Sequence, residues 1–201
     1  MKKIPGFTLI ELMVTIAIAA VLLALAAPSF HDFILLQRLK GVSSQMVTDM
    51  QFARSEAAAK NALVRVRFSD DPVKTCYVVY TSPAWNACDC RDTPICNPAL
   101  AGQEIRTVNV MKADSVLLQS KVPRIFEVAY NPATGAIVVP PLFPAGPPVD
   151  QFVVDSCIGP PETINCEGLV KRLSLEIKLS GRPGLCSPPA TSIGLPQCDV
   201  K

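Results

Sequence analysis

The chain has 201 residues, of which 49% are hydrophobic and 18% charged, with 19 Lys and Arg against 17 Asp and Glu. This length suits one ordinary domain with an appendage, and the composition excludes a disordered or acidic-tail protein. From Leu63 onward 13 basic residues balance 13 acidic ones, so net charge gives no support to a polyelectrolyte binder of nucleic acid.

The segment Phe7–Phe30 is an apolar run with a single charge, Glu11. A helix of that length covers a bilayer core of about 30 Å, and Lys2 and Lys3 before it predict a cytoplasmic start. Three interpretations compete: a secretory signal peptide cut before Ala27, a plain membrane anchor, and a membrane anchor in which Glu11 has a functional role. A carboxylate in hydrocarbon costs about 2.5–3.5 kcal/mol, so Glu11 favours the third.

The start of the chain resembles the prepilin signature of type IV pilins and pseudopilins, in the residues Met1-Lys2-Lys3-Ile4-Pro5-Gly6 followed by Phe7-Thr8-Leu9-Ile10-Glu11-Leu12. The resemblance implies that a prepilin peptidase cuts after Gly6, so that residues 1–6 are the leader, and that Phe7 is then N-methylated. It also implies that the helix later leaves the membrane for a filament core, where Glu11 neutralises the N-terminal amine of a neighbouring subunit. Pro28 lies where the family often carries a helix-bending proline.

Beyond Phe30 the pattern becomes amphipathic, and apolar residues recur at spacings of three and four on one helical face: Leu35, Leu39, Val42, Met46, Met50, Ala53 and Ala57. No proline interrupts residues 29–71, so one helix from about Phe7 to Asn61 is predicted. Its segment 7–30 would be the transmembrane or filament-core part, and its segment 31–61 an amphipathic part covered by a sheet. The Met46 and Met50 pair is interpreted as simple core packing.

Strand signals follow in the domain predicted for residues 62–201. They lie at Leu63–Phe68, Thr75–Tyr80, Gln103–Met111, Arg124–Tyr130, Ala136–Val139 and Arg172–Ser180. The last is the clearest, because its alternation predicts that Leu173, Leu175, Ile177 and Leu179 face inward while Arg172, Ser174, Glu176 and Lys178 face outward. A turn at 131–135 predicts a hairpin. One long helix followed by short antiparallel strands gives an α+β class.

Two further elements narrow the resemblance: Phe52-Ala53-Arg54-Ser55-Glu56-Ala57 at the helix end, and Gly181-Arg182-Pro183-Gly184-Leu185-Cys186-Ser187-Pro188 near the C-terminus. They resemble the FimT/FimU group of minor pilins, which shares its domain with the H-type minor pseudopilin (GspH) of type II secretion. The likeness covers residues 1–68 and 124–188 better than the middle. It implies a pilin-like fold with the helix in the bacterial inner membrane and the outer domain in the periplasm.

Eight cysteines, all beyond residue 75, are candidates for disulfides: Cys76, Cys88, Cys90, Cys96, Cys157, Cys166, Cys186 and Cys198. The chain has one histidine, His31, and it lies elsewhere, so disulfides in an oxidising compartment are favoured over zinc. The connectivity stays open, although Cys157–Cys166 and Cys186–Cys198 are short loops that could close. The stretches Trp85–Pro98 and Pro140–Gly168 are interpreted as proline-rich, disulfide-stapled loop insertions.

Catalysis has little support in the sequence. No glycine-rich phosphate loop is present, no nucleophile has a histidine base, and Asp70-Asp71 before Pro72 predicts a turn between strands. No enzyme, cofactor or metal site is predicted.

The pair Gly181-Arg182 lies where some FimT-like pilins carry a Gly-Arg-x-Arg loop associated with DNA capture. Here Gly184 replaces the second arginine. With Lys178 and Arg172 close in sequence, DNA contact is a hypothesis, and a surface turn at Gly181 is the simpler interpretation.

The sequence therefore predicts a non-enzymatic minor pilin or pseudopilin at or near the tip of a type IV pilus-like filament. Its expected partners are other major and minor pilins, the prepilin peptidase, an inner-membrane assembly platform, and membrane lipid before assembly. The alternative destination is the type II secretion pseudopilus, as its H-type minor pseudopilin. A lesser alternative is a secreted soluble binding module.

Overall fold

The computed structural model describes residues 6–121, 126–140, 151–160, 162, 165–189, 191 and 193–198, and within its long helix the side chains of 25–29 lie outside the description. By its internal contacts the chain divides into two compact units, residues 1–37 and residues 38–201. The first unit contains the beginning of the helix, and the second contains the remainder of the helix and the strands.

The helix α1 (Leu9–Lys60) is continuous, as the sequence predicts. It ends in a Schellman turn, in which Asn61 adopts the left-handed backbone conformation with φ of 48°. The N–H groups of Asn61 and Ala62 donate to the carbonyl oxygens of Ala58 and Ala57. Asparagine is one of the few residues besides glycine that tolerates this conformation, so the helix stops within one residue of the predicted end.

The apolar face of α1 in the second unit is buried, which confirms the predicted periodicity. Met46 and Met50 are fully buried within the core, as are Leu39, Ala53 and Ala57. Burial of side chains at these spacings fixes which face of the helix meets the rest of the unit.

Two polar side chains on the helix, Ser43 and Asp49, are also buried, and the periodicity does not predict them. The hydroxyl groups of Ser43 and Ser156 hydrogen-bond at 2.6 Å, and the Tyr77 hydroxyl donates to the Asp49 carboxylate at 2.6 Å. A buried polar group is tolerated when it is hydrogen-bonded, so these two contacts hold the helix against the segments that contain Ser156 and Tyr77.

The described residues of the second unit form nine strands and two short 3₁₀ helices, Pro98–Leu100 and Lys112–Asp114. The strands are β1 (Val64–Asp70), β2 (Lys74–Thr81), β3 (Gln103–Met111), β4 (Val116–Ser120), β5 (Glu127–Tyr130), β6 (Ile137–Val138), β7 (Gln151–Ile158), β8 (Arg172–Lys178) and β9 (Pro183–Cys186). The strands predicted for β1, β2, β3, β5, β6 and β8 are confirmed within a few residues, while residues 124–125 lie outside the description.

The strands pair into two antiparallel sheets. The first sheet has the order β3-β2-β1-β5-β6, and the second has the order β4-β7-β8-β9. The turn from β1 to β2 is held by the Asp71 carboxylate, which accepts from the N–H groups of Val73 and Lys74. This confirms the predicted turn. The rings of Phe68 and Phe152 lie 5.8 Å apart between centroids and join the two sheets.

The strand β3 lies at one edge of the first sheet and carries a β-bulge. Val79 of β2 faces Arg106, but the next residue, Tyr80, faces Glu104. Ile105 is therefore the extra residue on β3, and the regular ladder is interrupted there.

The prediction of a loop over Pro140–Gly168 is wrong for Gln151–Ile158, which form β7 between β4 and β8. Six consecutive residues of β7 are buried, so no alternation of polar and apolar residues marks it as a strand. Its polar members find partners inside: Asp155 accepts from the Ser174 hydroxyl, and Arg172 lies 3.6 Å from its carboxylate. Proline-rich sequence on both sides conceals the strand further.

Other details of the second sheet also differ from expectation. The strands β4 and β9 are not predicted, because each is short and β9 begins with a proline. Leu179, predicted to face inward, is 50% exposed, since β8 ends one residue earlier. Ser174, predicted to face outward, is buried on β8 between β7 and β9, and its hydroxyl is satisfied by donating to Asp155.

Candidate functional site

The predicted cleavage point precedes the helix. Gly6, Phe7 and Thr8 are non-helical and exposed, and α1 starts at Leu9. The Thr8 side-chain oxygen accepts from the N–H of Glu11 at 3.3 Å, which is how a threonine N-cap satisfies a free amide of the first turn. The peptide bond between Gly6 and Phe7 therefore lies in accessible, non-helical chain, and the Glu11 carboxylate projects from the first turn.

The first turns of α1 have no polar face. Large apolar residues on every side of the helix each expose at least 52% of their surface: Leu9, Ile10, Leu12, Met13, Val14, Ile16, Ile18, Val21, Leu22 and Leu23. An apolar surface of this extent requires cover from lipid or from other helices. Glu11 is the acidic residue of the first turn.

Among the residues that the structure describes, no helical stretch is both long enough and apolar enough to cross a membrane. The predicted segment 7–30 includes residues 25–29, whose side chains lie outside the description. The role expected of Pro28 in bending the helix falls on the same undescribed side chains. Both stay predictions.

Three segments distant in sequence meet at the end of α1. The Arg54 Nε donates to the carbonyl oxygen of Gly135 at 3.1 Å, and that oxygen in turn lies against the α-carbon of Gly181. Gly181 adopts φ of 75°, a conformation open to glycine, and its N–H donates to the carbonyl of Lys178 at 2.8 Å. The Arg54 and Gly181 elements of the sequence are thus joined through the β5–β6 turn.

The three cations proposed for DNA contact do not lie together. Arg182 and Lys178 are exposed on either side of the β8–β9 turn. Arg172 begins β8, about 20 Å away at 3.3 Å per residue. It pairs with Asp155 at 3.6 Å and donates to the carbonyl oxygen of Cys166. Arg172 therefore does not share a surface with Arg182.

All eight cysteines are paired, as Cys76–Cys90, Cys88–Cys96, Cys157–Cys166 and Cys186–Cys198. The last two are the short loops noted in the sequence. Within the described residues, Glu176 lies near Cys186 and Cys198 in a group of metal-ligand types, but the two sulfur atoms are bonded to each other.

The covering loop, residues 82–102, folds over one face of β1 and β2. The Cys76–Cys90 bond ties it to β2, and the Asp89 N–H donates to the carbonyl of Ile95 within it at 2.8 Å. Apolar side chains pack beneath it: Val78 and Tyr80 of β2 with Ala87, Cys88 and Cys90 of the loop. The predicted insertion at Trp85–Pro98 is thus an ordered cover on the sheet.

Charged side chains lie buried beneath the covering loop. The Arg65 guanidinium is 3.9 Å from the Trp85 ring centroid, and its Nε donates to the carbonyl of Ser82 at 2.9 Å. The Glu127 carboxylate accepts from the Tyr80 hydroxyl at 2.5 Å and from the Asn86 N–H at 3.0 Å. Burial raises the pKa of Glu127, while these hydrogen bonds oppose that rise.

Asp89 is held between two arginines at the centre of the covering loop. Its carboxylate accepts from Arg91 at 2.7 Å and from Arg67 at 3.2 Å. Burial alone would raise the pKa of Asp89, but the hydrogen bonds from Arg91 and the charge of Arg67 hold it well below its usual range. Alternation in the sequence places Arg65 and Arg67 on the outward face of β1. That face is buried only because the covering loop packs on it.

Comparison with known protein families decides the identity of the chain. Residues 1–27 match the family described as the prokaryotic N-terminal methylation motif, and residues 43–143, half of the chain, match the family described as type II transport protein GspH. The chain belongs to the GspH family.

The fold of this GspH-family chain is similar to that of a solved minor pilin. The crystal structure of the type IV minor pilin FimU of Pseudomonas aeruginosa strain PAO1 aligns with a TM-score of 0.50 and 16% identity, over 76% of this chain and 90% of that one. This likeness concerns the fold, and it confirms the pilin-like α+β architecture.

Family membership and the methylation motif make the chain a pilus or pseudopilus component that assembles with other pilin-like subunits. The GspH family is structural rather than enzymatic. The matched region, 43–143, contains Arg54, Gly135 and the whole covering loop. The buried cluster of Arg65, Glu127 and Asp89 is therefore part of the family's domain region in this chain, although no local pattern in the sequence predicts it.

Proposed function

We propose that this chain is a minor pilin, cleaved between Gly6 and Phe7, methylated on Phe7, and assembled at or near the tip of a type IV pilus-like filament. The observation that supports this most is the beginning of α1, which exposes apolar side chains all round with Glu11 among them. Such a surface suits lipid before assembly and neighbouring helices afterwards.

The proposal gives each part of the N-terminal segment a role. A prepilin peptidase removes residues 1–6, segment 7–30 anchors the precursor in the bacterial inner membrane, and residues 62–201 face the periplasm. An inner-membrane assembly platform then transfers the subunit to the filament, where Glu11 pairs with the new amine of an adjacent subunit. The chain itself catalyses no reaction and holds no cofactor.

Mass spectrometry of the mature N-terminus tests the processing step. A methylated Phe7 is expected. A chain that begins at Ala27 would instead identify a secreted soluble module and would overturn the proposal. Replacement of Gly6 by a larger residue should leave the leader attached, because the peptidase must accommodate this side chain at the cut.

A second destination, the type II secretion pseudopilus, is favoured by the description of the matched family as a type II transport protein. A clean deletion strain separates the two. Loss of surface pili with secretion of extracellular enzymes intact supports the minor pilin. Loss of secretion with pili intact assigns the chain to the pseudopilus, as its H-type minor pseudopilin.

DNA contact is supported by the exposed positions of Arg182 and Lys178 beside the β8–β9 turn. Two cations give at most two phosphate contacts per subunit, so binding would be weak and strongly salt-dependent. Arg182→Ala should lower DNA uptake while piliation stays normal. Arg38→Ala is the control, because Arg38 is an exposed arginine whose ion pair with the exposed Asp114 contributes little to stability. Unchanged uptake would remove DNA from the proposed function.

A further inference from the structure

The two disulfides of the covering loop cross each other in sequence. Cys76 pairs with Cys90, and Cys88, which lies between them, pairs with Cys96. The other two disulfides, Cys157–Cys166 and Cys186–Cys198, each join cysteines that are consecutive in the chain. If every cysteine paired with the next one along the chain as the chain entered the oxidising compartment, the first four would form Cys76–Cys88 and Cys90–Cys96.

Chain entropy scarcely distinguishes the crossed pairing from the consecutive one. The native bonds span 14 and 8 residues, and the consecutive bonds would each span two residues fewer. Loop-closure entropy changes only slowly with loop length. An unfolded chain therefore forms the crossed and the consecutive pairs with similar ease. The order in which the cysteines enter the oxidising compartment then favours the consecutive pairs.

The folded contacts, in contrast, select the crossed set. Asp89 stands between Cys88 and Cys90 and accepts from Arg67 of β1, which aligns Cys90 with Cys76 on β2. If Cys88 replaced Cys90 as the partner of Cys76, the loop would shift by two residues along the sheet. Asp89 would then leave Arg67, and the Asn86 N–H would leave Glu127, so buried charges would lose their partners.

We propose that native pairing of the covering loop depends on a dithiol isomerase in the compartment where this chain is oxidised. The enzyme's thiolate attacks Cys88 of the Cys76–Cys88 bond, which forms a mixed disulfide and releases the Cys76 thiolate. That thiolate attacks Cys90 of the Cys90–Cys96 bond and releases the Cys96 thiolate. The Cys96 thiolate then attacks Cys88 in the mixed disulfide and regenerates the enzyme's thiolate. Two disulfides are consumed and two are formed, so no oxidant or reductant is needed.

The partner is thus defined by chemistry: a reactive thiol that resolves wrong bonds, distinct from the oxidase that introduces them. The inference holds whether the protein enters a pilus or a pseudopilus, since it depends on the covering loop alone.

To test this, the full chain is expressed in two bacterial hosts. Both hosts have a dithiol oxidase, but only one of them has a dithiol isomerase. After free thiols are trapped, proteolysis between Cys88 and Asp89 separates the two neighbouring cysteines, and mass spectrometry identifies the linked peptides. Without the isomerase, we expect the Cys76–Cys90 peptide to be largely replaced by Cys76–Cys88. The Cys157–Cys166 and Cys186–Cys198 peptides should form equally in both hosts. Equal yields of the Cys76–Cys90 peptide in both hosts would overturn the proposal.

A pair of double variants supplies the matched control. In Cys88→Ser/Cys96→Ser the bond Cys76–Cys90 becomes consecutive, and in Cys76→Ser/Cys90→Ser the same holds for Cys88–Cys96. Each remaining bond should form to the same extent with and without the isomerase. Dependence on the isomerase that persists in both variants would show that crossing is not its cause and would also overturn the proposal.

Discussion

The carbonyl oxygen of Gly135 lies 1.8 Å from the position that a Cβ atom would occupy on Gly181. Real Cβ atoms do not approach a carbonyl oxygen so closely, and Gly181 also has a positive φ of 75°. The same oxygen accepts from Arg54 on the helix. The β8–β9 turn, the β5–β6 turn and the helix end can therefore meet only if position 181 carries no side chain.

Gly181→Ala should destabilise the domain by about 3 kcal/mol or more, because the new methyl group must push two turns apart and adopt a strained backbone. Urea unfolding of the full chain in detergent measures the loss. The control is Gly184→Ala on the adjoining strand, where no atom beyond its two chain neighbours lies within 4 Å of the new Cβ. A Gly181 variant as stable as the Gly184 variant would contradict this account of the turn.

All three tyrosines of the chain, Tyr77, Tyr80 and Tyr130, are fully buried. Burial raises the pKa of each above its usual range. In the unfolded chain they ionise near pH 10, so the stability that they contribute is fully present below pH 10 and is lost as the pH rises above it. Each should lower the free energy of unfolding by about 1.4 kcal/mol per pH unit. Tyrosinate absorbance should then appear together with unfolding, and ionisation of the folded protein near pH 10 would contradict this expectation.

Tyr77→Phe and Tyr130→Phe should differ in their effects on stability. The Tyr77 hydroxyl donates to the buried Asp49 carboxylate at 2.6 Å, and its removal should cost about 1–3 kcal/mol. Among the described residues the Tyr130 hydroxyl has no hydrogen-bond partner, so Tyr130→Phe should be neutral or stabilising. Denaturant midpoints of the two variants compare them directly, and equal losses would be unexpected.

Asp89→Asn should destabilise the covering loop by about 3 kcal/mol at neutral pH, because the carboxylate lies buried between Arg67 and Arg91. The pKa of Asp89 is depressed in the folded chain. Its contribution is therefore present above the unfolded value of about 3.9 and is lost as the pH falls toward the folded value. The difference between wild type and variant should shrink in acid, and a difference that stays constant down to pH 2 would argue against the ion pairs.

Glu11→Ala should abolish incorporation into the filament, whereas Glu11→Asp, which keeps the charge, should retain part of it. The carboxylate is exposed in the first turn, so neither change should alter the stability of residues 38–201. Quantification of the protein in sheared filaments and in the membrane fraction measures incorporation. Normal filament content for Glu11→Ala would argue against a pairing role.

Local patterns in the sequence predict the helix from its period. They predict the six strands from alternation, from a richness in β-branched and aromatic residues, or from a marked turn. Met46 and Met50 follow the helical period, and the turn at Asp71 follows from its neighbouring proline. The strand β7 is not predicted, because Asp155 and Ser156 follow its short apolar run, and the sequence gives no sign that these two polar residues are buried. The partners of Asp155 come from β8 and cannot be read from β7 alone.

The candidate site divides in the same way. The cleavage residues and Glu11 are predicted because they belong to one short, contiguous sequence motif. The buried pairing of Arg65 with Glu127 is not predicted, since the two residues lie on different strands under a loop that covers them only after folding. The spacing of Cys88 and Cys90 around Asp89 is the one local sign that this acid is held in place.

The bulge at Ile105 affects whether the sheets of neighbouring domains can join when many copies lie close together. An unbroken edge strand offers a template on which the sheet of another copy can extend, and such growth ends in aggregates. The extra residue in β3 interrupts that template, and the charged side chains of Glu104 and Arg106 flank it. Where related subunits lie close together in a filament, this interruption disfavours the addition of a neighbour's strand along β3.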